Sequence, residues 1–149
     1  VMLTYAAQSV FSFNFQSNIN KISNRYYQQI TIVIMSLIVK RFGAGEKPYS
    51  AAEIATSYDL PHSLVIKALI TLFEVGYINI VEEEEDDVHR YQPAFDINQM
   101  TVASLIDAID CHGDSNFLKS FDAEFKDLLH EIDTKYDIRP DSVVLIKDL

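Results

Sequence analysis

A single cysteine, Cys111, excludes an internal disulfide and any all-cysteine metal cage within one copy of the chain. No basic stretch precedes the apolar start and no cleavage site follows it, so a secretory leader is not expected. A complete membrane span is missing too: the most apolar stretch, residues 30–39, is half of the roughly 20 residues that a spanning helix needs. Nucleophile elbow, P-loop and dinucleotide fingerprint are all lacking, which gives no expectation of an enzyme or of a cofactor. Acid is absent from residues 1–45, which hold four bases, Lys21, Arg25, Lys40 and Arg41. The whole chain carries −10, so everything after residue 45 carries −14. That split assigns different surroundings to the two ends.

What is present suffices for one core and an appended helical layer: 149 residues, 48% of them hydrophobic. Residues 1–10 read as an apolar helix, and Phe11, Phe13 and Phe15 then alternate with polar residues in an extended pattern. A helix follows over residues 24–42, its apolar positions Ile30, Val33, Ile34, Leu37 and Ile38. Ser50 and Glu53 have capping-box spacing, so a second helix starts at Ala51. Pro61 suits a first helical turn, and the helix after it buries Val65, Ala68, Leu69 and Leu72 and stops at Gly76. Residues 77–81 and 88–92 form a hairpin around six consecutive carboxylates, residues 82–87. Thr101 caps a helix to Asp110, and a longer amphipathic helix over residues 116–136 carries Phe117, Phe121, Phe125, Leu128, Ile132 and Tyr136 on one stripe, read as core rather than as a dimer seam. Helix, turn, helix, hairpin is the winged-helix order. The expected fold is mainly α, a winged helix-turn-helix with an N-terminal helix and a C-terminal helical extension. Residues 1–20 are expected to be a linker or the end of a preceding membrane helix, 21–112 the winged-helix domain, and 113–149 the extension.

The site expectations turn on charge. A wing beside DNA normally carries bases, because neutralising phosphate supplies most of the non-specific affinity. Here residues 43–99 hold three bases, Lys47, Lys67 and Arg90, against eleven acids. The second helix of the pair faces solvent with Ser63, Ile66, Lys67, Ile70 and Glu74, and only Lys67 and Ser63 suit base readout. Ile66 and Ile70, with Lys67 between them, are expected to contact protein, and nucleic acid is not the expected partner. The acidic loop lacks the ligand spacing and central glycine of a calcium-binding loop and reads as solvated charge that keeps the hairpin edge from pairing. Asp107, Asp110, Cys111, His112 and Asp114 have metal-ligand chemistry, yet they read as ordinary polar residues at a helix end, and no metal is expected.

Several runs taken in order carry a family resemblance: Lys21-Ile22-Ser23 with Arg25-Tyr26, Lys40-Arg41-Phe42, Pro48 through Ile54, Leu60-Pro61, Val65, the helix end at residues 72–76, and Tyr91-Gln92-Pro93-Ala94 followed by Asp96-Ile97-Asn98. Over residues 22–110 the chain resembles the C-terminal cytoplasmic region of the YihY/BrkB family of bacterial inner-membrane proteins. That resemblance implies a bundle of membrane helices ahead of this chain and a place at the cytoplasmic face of the inner membrane, within a longer integral membrane protein. The basic, acid-free segment before residue 45 agrees with positive-inside bias. The resulting expectation is a non-catalytic regulatory or interaction module whose partner is the membrane domain of its own chain or another protein, with homo-oligomerisation open. The alternative is a winged-helix transcriptional regulator, with Ser63, Lys67, Lys21, Arg25, Lys40 and Arg41 on DNA. A second alternative is the ribonuclease BN-type tRNA-processing activity with which the family has been labelled, for which no site residues are found.

Overall fold

In the computed structural model, residues 20–83, 85, 87–114, 122–135 and 143–149 are described. The expected helix and extended pattern over residues 1–15 lie outside them, as does the expected linker up to residue 19. Helix α1 (Asn24–Gly43) is capped by Ser23, whose side chain accepts from the Tyr26 amide. Strand β1 (Tyr49–Ser50) leads directly into α2 (Ala51–Ser57), where Ser50 and Glu53 form the expected reciprocal capping box. Asp59 turns the chain with φ 51°, and α3 (His62–Glu74) follows. Pro61 is the N-cap of α3 rather than its first residue, and its carbonyl accepts from the amides of Leu64 and Val65. Gly76 closes α3 at φ 81°, a left-handed conformation that glycine adopts without a Cβ penalty.

Strands β2 (Ile78–Glu82) and β3 (His89–Pro93) make the hairpin, each one residue later than the alternation predicts. The small β1 pairs with β3 on its other side, giving an antiparallel sheet of order β1-β3-β2 with Tyr91 opposite both Tyr49 and Ile80. A two-residue strand has no period to read, so sequence pattern misses β1. Helix α4 (Val102–Asp110), capped by Thr101 through the Ser104 amide, and α5 (Ala123–Lys135) complete the α-helices among the described residues. The chain then returns: Val102 donates to the Val144 carbonyl, Ile146 to the Met100 carbonyl, and Ile146 is fully buried at the start of a 3-10 turn (Ile146–Asp148).

The core joins Ile34, Met35, Ile38 and Val39 of α1 to Ile54, to Val65, Ala68, Leu69 and Leu72 of α3, and to Ile78, Met100, Leu105 and Ile146. Each such side chain removed from water contributes roughly 1.5–3 kcal/mol. Helix α1 departs from expectation in a way that matters below. Thr31, Met35 and Ser36 are buried, whereas Val33 is 56% exposed. The helix is apolar on two opposite faces, so hydrophobicity alone could not say which face meets the core. The stripe expected as core in the last helix is also different. Phe125, Leu128 and Ile132 are each about half exposed, and all the described side chains of α5 face solvent. Phe117, Phe121 and Tyr136 lie outside the described residues.

Candidate functional site

The outward row of α3 comprises His62, Ser63, Lys67, Ile70 and Glu74, all exposed, while Ile66 is half-buried and packs on the core. Ile66 and Ile70 thus differ from the exposed pair expected: Ile70 alone offers a large apolar surface, at 51% exposure. This row is the floor of a groove of about 490 Å³, lined by Asn20 from the segment before α1 and by His62, Ser63, Ile66, Lys67 and Ile70.

Lys67 is held in place from α1. The Tyr27 hydroxyl meets the Lys67 carbonyl at 3.1 Å and Thr71 Oγ1 at 2.7 Å, and the Lys67 ammonium lies 4.7 Å from the centre of the Tyr27 ring. Asn20 lines the groove, and the bases Lys21 and Arg25, just before and within the first turn of α1, are both exposed. The other two candidate bases are elsewhere. Lys40 lies about 22 Å along the α1 axis from Arg25 and donates to the Leu149 carbonyl. Arg41 stacks 4.1 Å over the Tyr49 ring, donates to the Lys47 carbonyl at 2.6 Å and pairs with Glu46 at 3.7 Å. The six-residue set therefore divides into Lys21, Arg25, Ser63 and Lys67 at one end of α1, and Lys40 and Arg41 at the other.

The acidic wing belongs to that second end. Glu83 turns back on Lys47 at 2.7 Å and lies 3.7 Å from Arg90 Nε, while Glu82 meets His89 at 3.7 Å. Arg90, buried on β3, also donates to the Pro48 carbonyl and to both carboxylate oxygens of Glu53. Burial pushes the Glu53 carboxyl up, but the hydrogen bonds from Arg90 and the Ser50 amide, with the charges of Arg90 and Arg41, bring it below its ordinary value. The metal-type residues disperse: Gln28 donates to Asp110, His112 Nε2 meets Glu74 at 2.6 Å, and Cys111 lies 3.9 Å from Asp107. Among the described residues, no three His, Cys, Asp or Glu side chains come together as a metal site. Sequence reading missed Asn20 and Tyr27, since contacts across 40 residues leave no local signal.

No protein-family profile matches the chain, and no curated protein matches it in sequence. Solved structures do match. The chain is similar to IscR of T. potens at 18% identity and a TM-score of 0.54, over 85% of this chain and 83% of that one. It is similar to CymR, the global cysteine regulator of B. subtilis, at 18% identity and 0.53, over 85% and 93%, and to Staphylococcus aureus CymR at 16% and 0.51, over 82% and 93%. The fold is a winged helix-turn-helix. These neighbours overturn the resemblance to the YihY/BrkB region and the function and membrane partner it implied. The runs that carried it are largely capping, turn and hairpin residues, which satisfy backbone rules common to any chain with this element order. The inner-membrane placement falls with it: no helix among the described residues is long and apolar enough to cross a membrane. Within the acid-free segment, Asn24–Gly43 is instead a helix with bases near its two ends. The expectation against nucleic acid is corrected as well, because net charge sums groups that the fold keeps apart.

Proposed function

We propose that this chain is a winged-helix transcriptional regulator that binds duplex DNA, with the outward row of α3 in the major groove. The observation that carries the reading is the likeness of fold to IscR and CymR over more than four-fifths of the chain. Local charge supports it. Lys67 is exposed in the first half of α3, where side chains of a reading helix meet base edges, and no acid lies between His62 and Phe73. Lys21 and Arg25 are exposed at the start of α1, whose Tyr27 holds Lys67. Ser63 and His62 supply hydroxyl and imidazole hydrogen bonds to base edges, Lys67 reaches guanine, and Lys21 and Arg25 meet phosphate. Ile70 meets a thymine methyl, so its exposure serves DNA rather than a protein partner. Lys40 and Arg41, engaged at the far end of α1, stay off the duplex. The wing base is neutralised by Lys47 and Arg90, which limits repulsion from the acids beyond it.

A homodimer fits this reading. Residues 21–112 make the reading unit and residues 113–149 the extension, of which α5 is the part through which copies associate, since Ile146 packs into the core of its own chain. On α1, Tyr26 and Val33 lie two turns apart and are each 56% exposed, flanked by Ile30 and Leu37, which are half-buried against the core. On α5, Phe125, Leu128, Leu129 and Ile132 form a stripe of i, i+3, i+4, i+7 spacing. Acid-free α1 and α5 with its Glu124, Asp127, Glu131 and Asp133 are complementary in charge.

The test is anisotropy of labelled random duplexes with increasing protein at low salt, then enrichment of bound sequences. Saturable binding whose log affinity falls linearly with log salt, together with an enriched two-fold motif, is the expected result. Absence of binding at the lowest salt overturns the proposal.

A further inference from the structure

A second cleft, of about 380 Å³, opens where the start of α1, the middle of α3 and the end of α4 meet. That volume falls in the range of small-molecule sites. Lys67 and Asp110 both face it, yet they make no ion pair with each other. Each charge is held separately: the Lys67 ammonium over the Tyr27 ring, and Asp110 Oδ1 by the Gln28 side-chain amide, which leaves Oδ2 for another donor. Asn24 adds a further amide, and Ile109 with the Tyr27 ring supplies an apolar wall. At one edge His112, itself a lining residue, is tied to Glu74 of α3.

An ammonium and a carboxylate facing one small space without meeting are complementary to a molecule that carries both charges. We infer that this cleft binds a small zwitterion of the α-amino-acid class, its carboxylate on Lys67, its ammonium on Asp110 and Asn24, and its side chain against Ile109 and Tyr27. Both protein charges also touch water, so the binding is weak and its selectivity comes from satisfying the two charges together. Occupancy ties α4 to α3 through Lys67. Only this regulatory consequence rests on the proposed DNA reading; the binding itself does not.

The experiment is calorimetric titration of the whole chain with each common α-amino acid, and with the N-acetyl and methyl-ester forms of any that bind. The expected result is saturable binding of at least one free amino acid. Either blocked form, and the Asp110→Asn variant with unchanged circular dichroism, should bind about tenfold more weakly or less. A Gln28→Leu variant, which leaves Asp110 in place without its amide partner, should weaken binding to a smaller extent. If no amino acid saturates, or if blocked forms bind as well as free ones, the inference is wrong. Duplex binding is measured in parallel without amino acid. Ligand binding without duplex binding overturns the DNA reading alone, and duplex binding without ligand binding overturns this inference alone.

Discussion

Arg90 on the hairpin donates to both carboxylate oxygens of Glu53 on α2, at 2.9 and 3.1 Å, and so fastens the wing to the first helix of the helix-turn-helix. Glu53 also closes the capping box, so two functions converge on one side chain. Replacing Glu53 by Gln leaves a buried guanidinium facing a neutral amide and should cost about 2 kcal/mol. The carboxylate is 40% exposed, which keeps the loss below that of a fully buried pair. Urea denaturation followed by circular dichroism measures it.

The same pair gives a pH dependence of defined sign. The folded-state pKa of Glu53 is depressed, so its contribution is fully present above the unfolded value and is lost as pH falls through the lower folded value. The wild-type chain should therefore lose stability below the ordinary carboxylate range more steeply than Glu53→Gln. Parallel acid slopes for the two proteins would show that the contact carries no linked proton.

Ile146 is fully buried although it lies only three residues before Leu149. Its amide bonds to Met100, and its side chain completes the core beneath α1. Ile146→Ala should cost about 2–5 kcal/mol, the usual range for large-to-small changes in a packed core. Val143, at 86% exposure, is the internal control, and its change to Ala should have almost no effect. Thermal melts of the two variants separate a structural strap from a loose tail.

The helix-turn-helix was legible because its signals are local. Ser50 and Glu53 fix one helix start, Pro61 and Gly76 bracket the next, and Val65, Ala68, Leu69 and Leu72 mark its buried face. What escaped depends on distance through space. Periodicity finds the apolar positions of α1, but Val33 and Met35 are equally apolar, and only the rest of the fold decides that Met35 is buried. The candidate interface escaped for a related reason. A charge sum along the chain merges all its acids, while the fold puts Glu83 on Lys47 and leaves Arg25 and Lys67, which packs on Tyr27, near the start of α1.

The exposed apolar residues of α1 and α5 predict a contact between copies that can be captured covalently. In a Cys111→Ser background, Val33→Cys lies at the middle of α1 and Leu128→Cys at the middle of the α5 stripe, so the pair meets whichever way the helices run. Mixing the two single-cysteine proteins under mild oxidation should give a mixed disulfide-linked dimer, and Leu128→Glu should leave a monomer by light scattering. A link that forms only when both cysteines are in one chain would mean that α5 folds back on its own α1.

Base and phosphate contacts separate by their response to salt and sequence. Arg25→Ala, on the phosphate flank, should weaken binding to all duplexes alike and lower the salt slope by about one. Lys67→Met, within the reading row, should cost about 1–3 kcal/mol at its own base pair and relax preference there. Lys40→Ala, whose ammonium is engaged by Leu149, should leave duplex affinity unchanged. Glu82 and Glu85 are exposed on the wing, and changing both to Gln should tighten binding at low salt and lose that advantage as salt rises. If Lys40→Ala instead weakens binding as much as Arg25→Ala, the duplex lies along α1 towards the wing, and the assignment of Lys21 and Arg25 as its flank is wrong.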